Sequence, residues 1–129
     1  MNINALRVLY VEDDPSVRES LLRLLRRRFD CVIEAKDGRE GLELHRLHTP
    51  DIIITDIQMP EMDGLEMCEH ILRERPEAKI IITTAFNDKE LIERAQILGV
   101  KAYINKPIMR DVLINAITEL FINHHQQNL

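Results

Sequence analysis

Short apolar runs of strand length alternate along this chain with segments of helical period. Residues 7–11 (RVLYV), 31–35 (CVIEA), 51–56 (DIIITD), 79–84 (KIIITT) and 102–105 (AYIN) are strand-like. Three consecutive isoleucines at 52–54 suit a strand covered on both faces, and so a parallel sheet flanked by helices. Between the strands, apolar residues recur at three- and four-residue steps: Val17, Leu21, Leu24 and Leu25; Cys68, Ile71 and Leu72; Leu91, Ala95 and Leu98; Leu113, Ala116, Ile117, Leu120 and Phe121. Asp37-Gly38 turns into a further helix that runs to about His48 and is bounded by Pro50. Helix starts are marked by Asp14-Pro15, by Asp63 with Glu66 three residues on, and by Asn87 or Asp88; Gly99 ends the fourth helix. Five strands alternating with five helices through short connections predict an α/β, right-handed, doubly wound parallel sheet.

Composition narrows the class. The 129 residues suit one domain with one core over about residues 6–121 and a polar tail at 122–129, and 45% apolar with 30% charged residues is ordinary for a globular protein. The net charge of −5 argues against a nucleic-acid-binding surface. Cys31 and Cys68 lack Cys-x-x-Cys spacing and read as two free, partly buried thiols in a reducing compartment. With no signal-peptide pattern and no apolar run near membrane-spanning length, the expected location is the cytoplasm, without membrane contact. The arginines at 23, 26, 27 and 28 read as a solvated helix end. His45 and His48, three apart and without a third ligand, read as packing or surface residues.

The strand ends carry the chemistry. Residues 51–56 end in Asp56, which either opens the turn before Met59-Pro60 or places a carboxylate in the crevice at the carboxyl ends of the strands, where open α/β sheets bind ligands. The first strand runs into Glu12, Asp13 and Asp14, the fourth ends in Thr83-Thr84, and the fifth leads to Lys106-Pro107. Parallel strands would bring Glu12, Asp13, Asp56, Thr84 and Lys106 together: hard oxygen ligands, a hydroxyl and an ammonium, the composition of a Mg²⁺-dependent phosphoryl site.

The run from Asp56 through Gln58, Met59, Pro60, Met62 and Asp63 to Gly64 resembles the phosphoacceptor loop of two-component response-regulator receiver domains, of which the chemotaxis regulators are one kind. Glu12-Asp13, Thr84-Ala85, and Tyr103 ahead of Lys106-Pro107 fall in that family's order and spacing. The resemblance implies a flavodoxin-like three-layer sandwich with strand order 2-1-3-4-5, whose switch point lies between the two acid-ended strands. It implies that Asp56 accepts a phosphoryl group from a sensor histidine kinase or phosphotransfer protein. It further implies Mg²⁺ held by Asp13, Asp56 and the Gln58 carbonyl, with Glu12 acting through water, since its methylene exceeds the family's more frequent Asp. Lys106, ahead of a cis Pro107, and Thr84 would meet the phosphoryl oxygens. Gln58 and Phe86 would tune the lifetime of the phosphoryl group. Thr84 and Tyr103 would act as the switch, read by an output protein, effector domain or second copy on the face of the fourth helix, fifth strand and fifth helix, where Lys89, Glu93, Arg94, Lys101 and Arg110 lie. On this reading the chain is a signalling domain, not an enzyme acting on other substrates.

Two rivals share parts of the pattern. A Mg²⁺-dependent phosphatase or phosphotransferase of the haloacid dehalogenase type also puts a nucleophilic Asp after a buried strand. It wants a second Asp two residues on, where this chain has Gln58, and a cap domain for which the chain has no room. A flavodoxin-like cofactor binder needs a Ser/Thr/Gly phosphate loop after the first strand, where three acids stand. There is no Gly-Lys-Ser/Thr phosphate loop anywhere.

Overall fold

The computed structural model describes residues 3–59, 62–85 and 89–127. After a short 3₁₀ turn at Ile3–Ala5, the chain alternates β1 (Arg7–Val11), α1 (Pro15–Arg28), β2 (Cys31–Ala35), α2 (Gly38–His48), β3 (Ile52–Asp56), α3 (Gly64–Glu74), β4 (Lys79–Thr84), α4 (Lys89–Leu98), β5 (Ala102–Asn105) and α5 (Arg110–Gln127). The strands form one parallel sheet in the order β2-β1-β3-β4-β5. This is the expected doubly wound, flavodoxin-like arrangement.

Alternation along the strands divides the core into two layers. Leu9, Val11, Ile53, Ile80 and Ile82 face Leu42 of α2, Leu65, Met67, Cys68 and Ile71 of α3 and Ala95 of α4. Val8, Tyr10, Ile52, Ile54, Ile81 and Ile104 face Leu21, Leu22 and Leu25 of α1 and Leu113 and Ile117 of α5. Each fully buried aliphatic side chain contributes about 1.5–3 kcal/mol, and strands buried on both faces collect that gain from every residue.

Aspartates start the first three helices. Asp14 accepts from the Ser16 and Val17 amides with Pro15 in the first turn. Asp37 accepts from Glu40 N and Asp63 from Glu66 N, both at 2.8 Å. Gly99, at φ +109°, closes α4 in a conformation that only glycine adopts without strain. The α4 caps expected at Asn87 or Asp88 lie outside the described residues. The polar stretch that follows Phe121 continues α5 as far as Gln127. Residues 122–127 contain neither Pro nor Gly, and a helix already nucleated extends at little cost.

Candidate functional site

Registers between β1 and β3 (Val11 with Thr55), β3 and β4 (Asp56 with Thr83) and β4 and β5 (Thr84 with Asn105) align the strand ends along one edge of the sheet. Glu12 and Asp13 follow β1 directly, Asp56 is the last residue of β3, and Lys106 follows β5. Carboxylate oxygens of Glu12, Asp13 and Asp56 lie within 4.8 Å of one another, the one such grouping of acids, histidines or cysteines among the described residues. His45 and His48 therefore form no metal cluster; His45 is buried and His48 half-buried.

Lys106 Nζ donates to Glu12 Oε1 at 2.7 Å and to Asp56 Oδ2 at 3.1 Å. Asp56 Oδ1 accepts the Ile57 amide at 2.7 Å, so both carboxylate oxygens are held. Glu12 is fully buried; Oε2 accepts from Asp14 N at 3.2 Å, and Arg18 Nη1 donates to its carbonyl at 2.9 Å. Burial pushes the Glu12 carboxyl above the usual range, against the opposing pull of Lys106 and the Asp14 amide. Burial lowers the Lys106 pKa, but its hydrogen bonds to Glu12 and Asp56 outweigh that and leave it raised. Three carboxylates against one ammonium leave the crevice net negative, and carboxylate oxygens from two strand ends are the hard donors a small divalent cation takes.

Thr84 is buried, and its carbonyl accepts the Lys106 amide at 2.8 Å, which ties the ends of β4 and β5 together. The Lys106–Pro107 peptide is cis. Tyr103 is half-buried on the layer of α3 and α4 and donates its hydroxyl to Val100 O at 2.6 Å; burial pushes that phenol up to about 12. Gln58 is exposed just past β3, while Phe86 and Pro60 lie outside the described residues. Lys89, Glu93, Arg94, Lys101 and Arg110 are all exposed.

Sequence reasoning missed three contributors: the Ile57 amide on Asp56, Arg18 on the Glu12 carbonyl, and the tight glycines around the loop after β3. Gly64 donates its amide to Ile57 O at 2.9 Å, and a Cβ there would overlap the Asp56 carbonyl oxygen. The one available signal was the Asp63-Gly64 pair itself.

A family model for the response regulator receiver domain matches residues 8–118. The chain is 40% identical over 122 residues to the transcriptional regulatory protein PdtaR of Mycobacterium tuberculosis, covering 94% of this chain and 58% of that protein, little more than half of the relative's length. It is 32% identical over 116 residues to the chemotaxis protein CheY of Halobacterium salinarum, covering 90% of this chain and 97% of that one. Its fold is similar to that of a CheY-like response regulator receiver domain protein from Methanospirillum hungatei, with a TM-score of 0.88 and 28% identity over 95% of this chain and 98% of the other.

Proposed function

We propose that this chain, which belongs to the response regulator receiver domain family of two-component systems, accepts a phosphoryl group on Asp56 from a phosphohistidine of a sensor histidine kinase or phosphotransfer protein. The observation that carries this reading is the placement of Asp56 at the end of β3, within 4.8 Å of Glu12 and Asp13 oxygens and 3.1 Å from Lys106 Nζ. In the transfer an Asp56 oxygen forms a bond to phosphorus as the nitrogen–phosphorus bond breaks, and the imidazole leaves with the electron pair and takes up a proton.

Such transfer is mostly positioning and charge stabilisation, and each residue has a part in it. Asp13, Asp56 and the Gln58 carbonyl would hold Mg²⁺, with Glu12 acting through water. The bound cation would neutralise charge shared between the carboxylates and the incoming phosphoryl oxygens. The Ile57 amide fixes the carboxylate of Asp56, and the Lys106 ammonium, already beside it, would follow the charge onto the phosphoryl group. Thr84 would donate its hydroxyl to a third oxygen, and Gln58 with Phe86 would govern access of the hydrolysing water.

Output follows from the same residues. A phosphoryl group on Asp56 adds about one unit of negative charge to the crevice. Its bond to Thr84 would draw that side chain inward, and Tyr103 would move in behind it. This would alter the face of α4, β5 and α5 for an output protein, an effector domain or a second copy. The coupling expected of such a device is about 1–3 kcal/mol. The regulatory names of PdtaR and CheY support a role of this kind, and free thiols at Cys31 and Cys68 suit a reducing cytoplasm. No described helix is long and apolar enough to cross a membrane.

The test is incubation with acetyl phosphate and Mg²⁺ followed by intact-mass analysis. One added phosphoryl group is expected in the wild type and none in Asp56→Asn; a label that persists in the variant overturns the assignment. For the switch, beryllofluoride with Mg²⁺ is expected to shift amide resonances at Tyr103 and along residues 89–98, less so in Thr84→Ala. Shifts confined to the strand ends would refute that readout.

A further inference from the structure

We infer that Gly38, the first residue of α2, is a positioning residue for the loop that follows β3, and through it for Asp56; this rests on the function proposed above. Gly38 is buried, and a Cβ built on it would overlap the carbonyl oxygen of Met62 and stand 2.9 Å from the Met62 carbonyl carbon. The obstacle is backbone, which no rotamer change relieves. The start of α2 is therefore in direct contact with the main chain of the loop, and only a residue without a side chain allows it.

The described residues at both ends of the loop are held in place. At its root the Ile57 amide holds Asp56 Oδ1 at 2.7 Å. Ile57 and Met59 are buried in the layer under α2 and α3. At its far end Asp63 caps α3, and Gly64 donates to Ile57 O at 2.9 Å, with no room for a Cβ against the Asp56 carbonyl. Gly38 stands against the Met62 main chain. A methyl group there must push Met62 outward; Met62 leads into Asp63 and Gly64, and the Gly64 amide on Ile57 O carries the shift to Ile57 and so to the Asp56 carboxylate its amide holds. Misplacement of reacting groups by about 1 Å is enough to cost a phosphoryl site about a hundredfold.

Gly41, one turn further along α2, supplies the control. A Cβ at Gly41 would stand 2.6 Å from Met67 Sδ and 2.9 Å from Val11 Cγ2. That position is also crowded, though less so than Gly38, and by core side chains rather than backbone, so substitution there strains packing and leaves the Met62 main chain alone.

The experiment measures Mg²⁺ affinity by isothermal titration calorimetry and metal-free stability in urea for wild type, Gly38→Ala and Gly41→Ala. Both variants are expected to lose stability, and only Gly38→Ala to lose Mg²⁺ affinity, by about ten- to a hundredfold, as supporting residues of metal sites do. Equal Mg²⁺ affinity in wild type and Gly38→Ala, or equal losses in the two glycine variants, overturns the inference. Should Gly38→Ala fail to fold, Met62→Gly keeps the carbonyl that faces Gly38 but frees the backbone that carries it. Weakened Mg²⁺ binding in a folded Met62→Gly protein supports the inference, and unchanged binding overturns it. A wild type that binds no Mg²⁺ overturns the proposed function and this inference together, whereas failure of the inference alone leaves wild-type binding and phosphorylation intact.

Discussion

The ammonium of Lys106 stands 2.7 Å from a carboxylate oxygen of Glu12, a residue 94 positions earlier in the chain, and 3.1 Å from Asp56. One cation from the end of β5 therefore spans acids from the ends of β1 and β3. Because the Glu12 side chain is only 1% exposed, it depends on that cation when no metal is bound.

Lys106→Met is accordingly expected to destabilise the metal-free protein at pH 7 by about 1.5–3 kcal/mol, the usual scale for losing a hydrogen bond to a buried charged group. Adding Glu12→Gln removes the orphaned charge and recovers most of the loss. Urea unfolding in EDTA measures both, followed by circular dichroism because the chain has no tryptophan. A midpoint unchanged in Lys106→Met would show that the pair contributes nothing.

A ligand that binds only the folded state stabilises it by mass action. Mg²⁺ at about a hundred times its dissociation constant should add about 2.7 kcal/mol to the unfolding free energy. Asp13→Ala removes a carboxylate from the cluster and should abolish most of that increment. An equal Mg²⁺ response in Asp13→Ala would exclude Asp13 from the ligand set.

Most of the scaffold was legible because one local pattern decides it. Three consecutive β-branched isoleucines in β3 favour a strand buried on both faces, and Asp14, Asp37 and Asp63 announce helix starts by chemistry acting within three residues. The convergence of Glu12, Asp56 and Lys106 was legible one step further on, since parallel strands bring their carboxyl ends to one edge. Their mutual bonding was not, because it depends on side-chain reach across strands. Leu22 was missed although it is buried, as a helix lodged in a deep layer buries more than its central stripe. The contacts at Gly38 and Gly64 could not be read either. A glycine in a sequence suggests a turn, and only coordinates show that the missing methyl group makes room for another backbone.

The two thiols should differ sharply in reactivity. Cys68 is fully buried on the core face of α3, and burial pushes its thiol up to about 12, leaving almost no thiolate at neutral pH. Cys31 opens β2 and is half-buried. Native protein treated with a maleimide at pH 7.5 should gain one adduct, at Cys31, with the second appearing only in urea. Two adducts at equal rates under native conditions would mean that the α3 layer opens readily.

The final prediction concerns pH. His45 is buried at 2% exposure near the end of α2, and its Nε2 lies 3.2 Å from Arg75 Nη1, which also donates to Pro50 O at 3.1 Å. A guanidinium only donates, so Nε2 is the acceptor and the ring is neutral, with its proton on Nδ1. Burial, and then the charge of Arg75, lower the His45 pKa; Glu74 pulls the other way and Arg46 adds to the lowering. The unfolded chain therefore binds a proton at a higher pH than the folded one. The stabilisation is fully present above the ordinary histidine value near 6.5 and is lost as the pH falls from there toward the lower folded value. The slope from one such group is at most about 1.4 kcal/mol per pH unit. Urea unfolding at pH 7.5, 6.5 and 5.5 should show a falling midpoint in the wild type. His45→Gln, which can still accept from Arg75 but does not titrate, should show a shallower fall. Parallel slopes in the two proteins would mean that His45 keeps its proton in the folded state, and that Arg75 bonds elsewhere in solution.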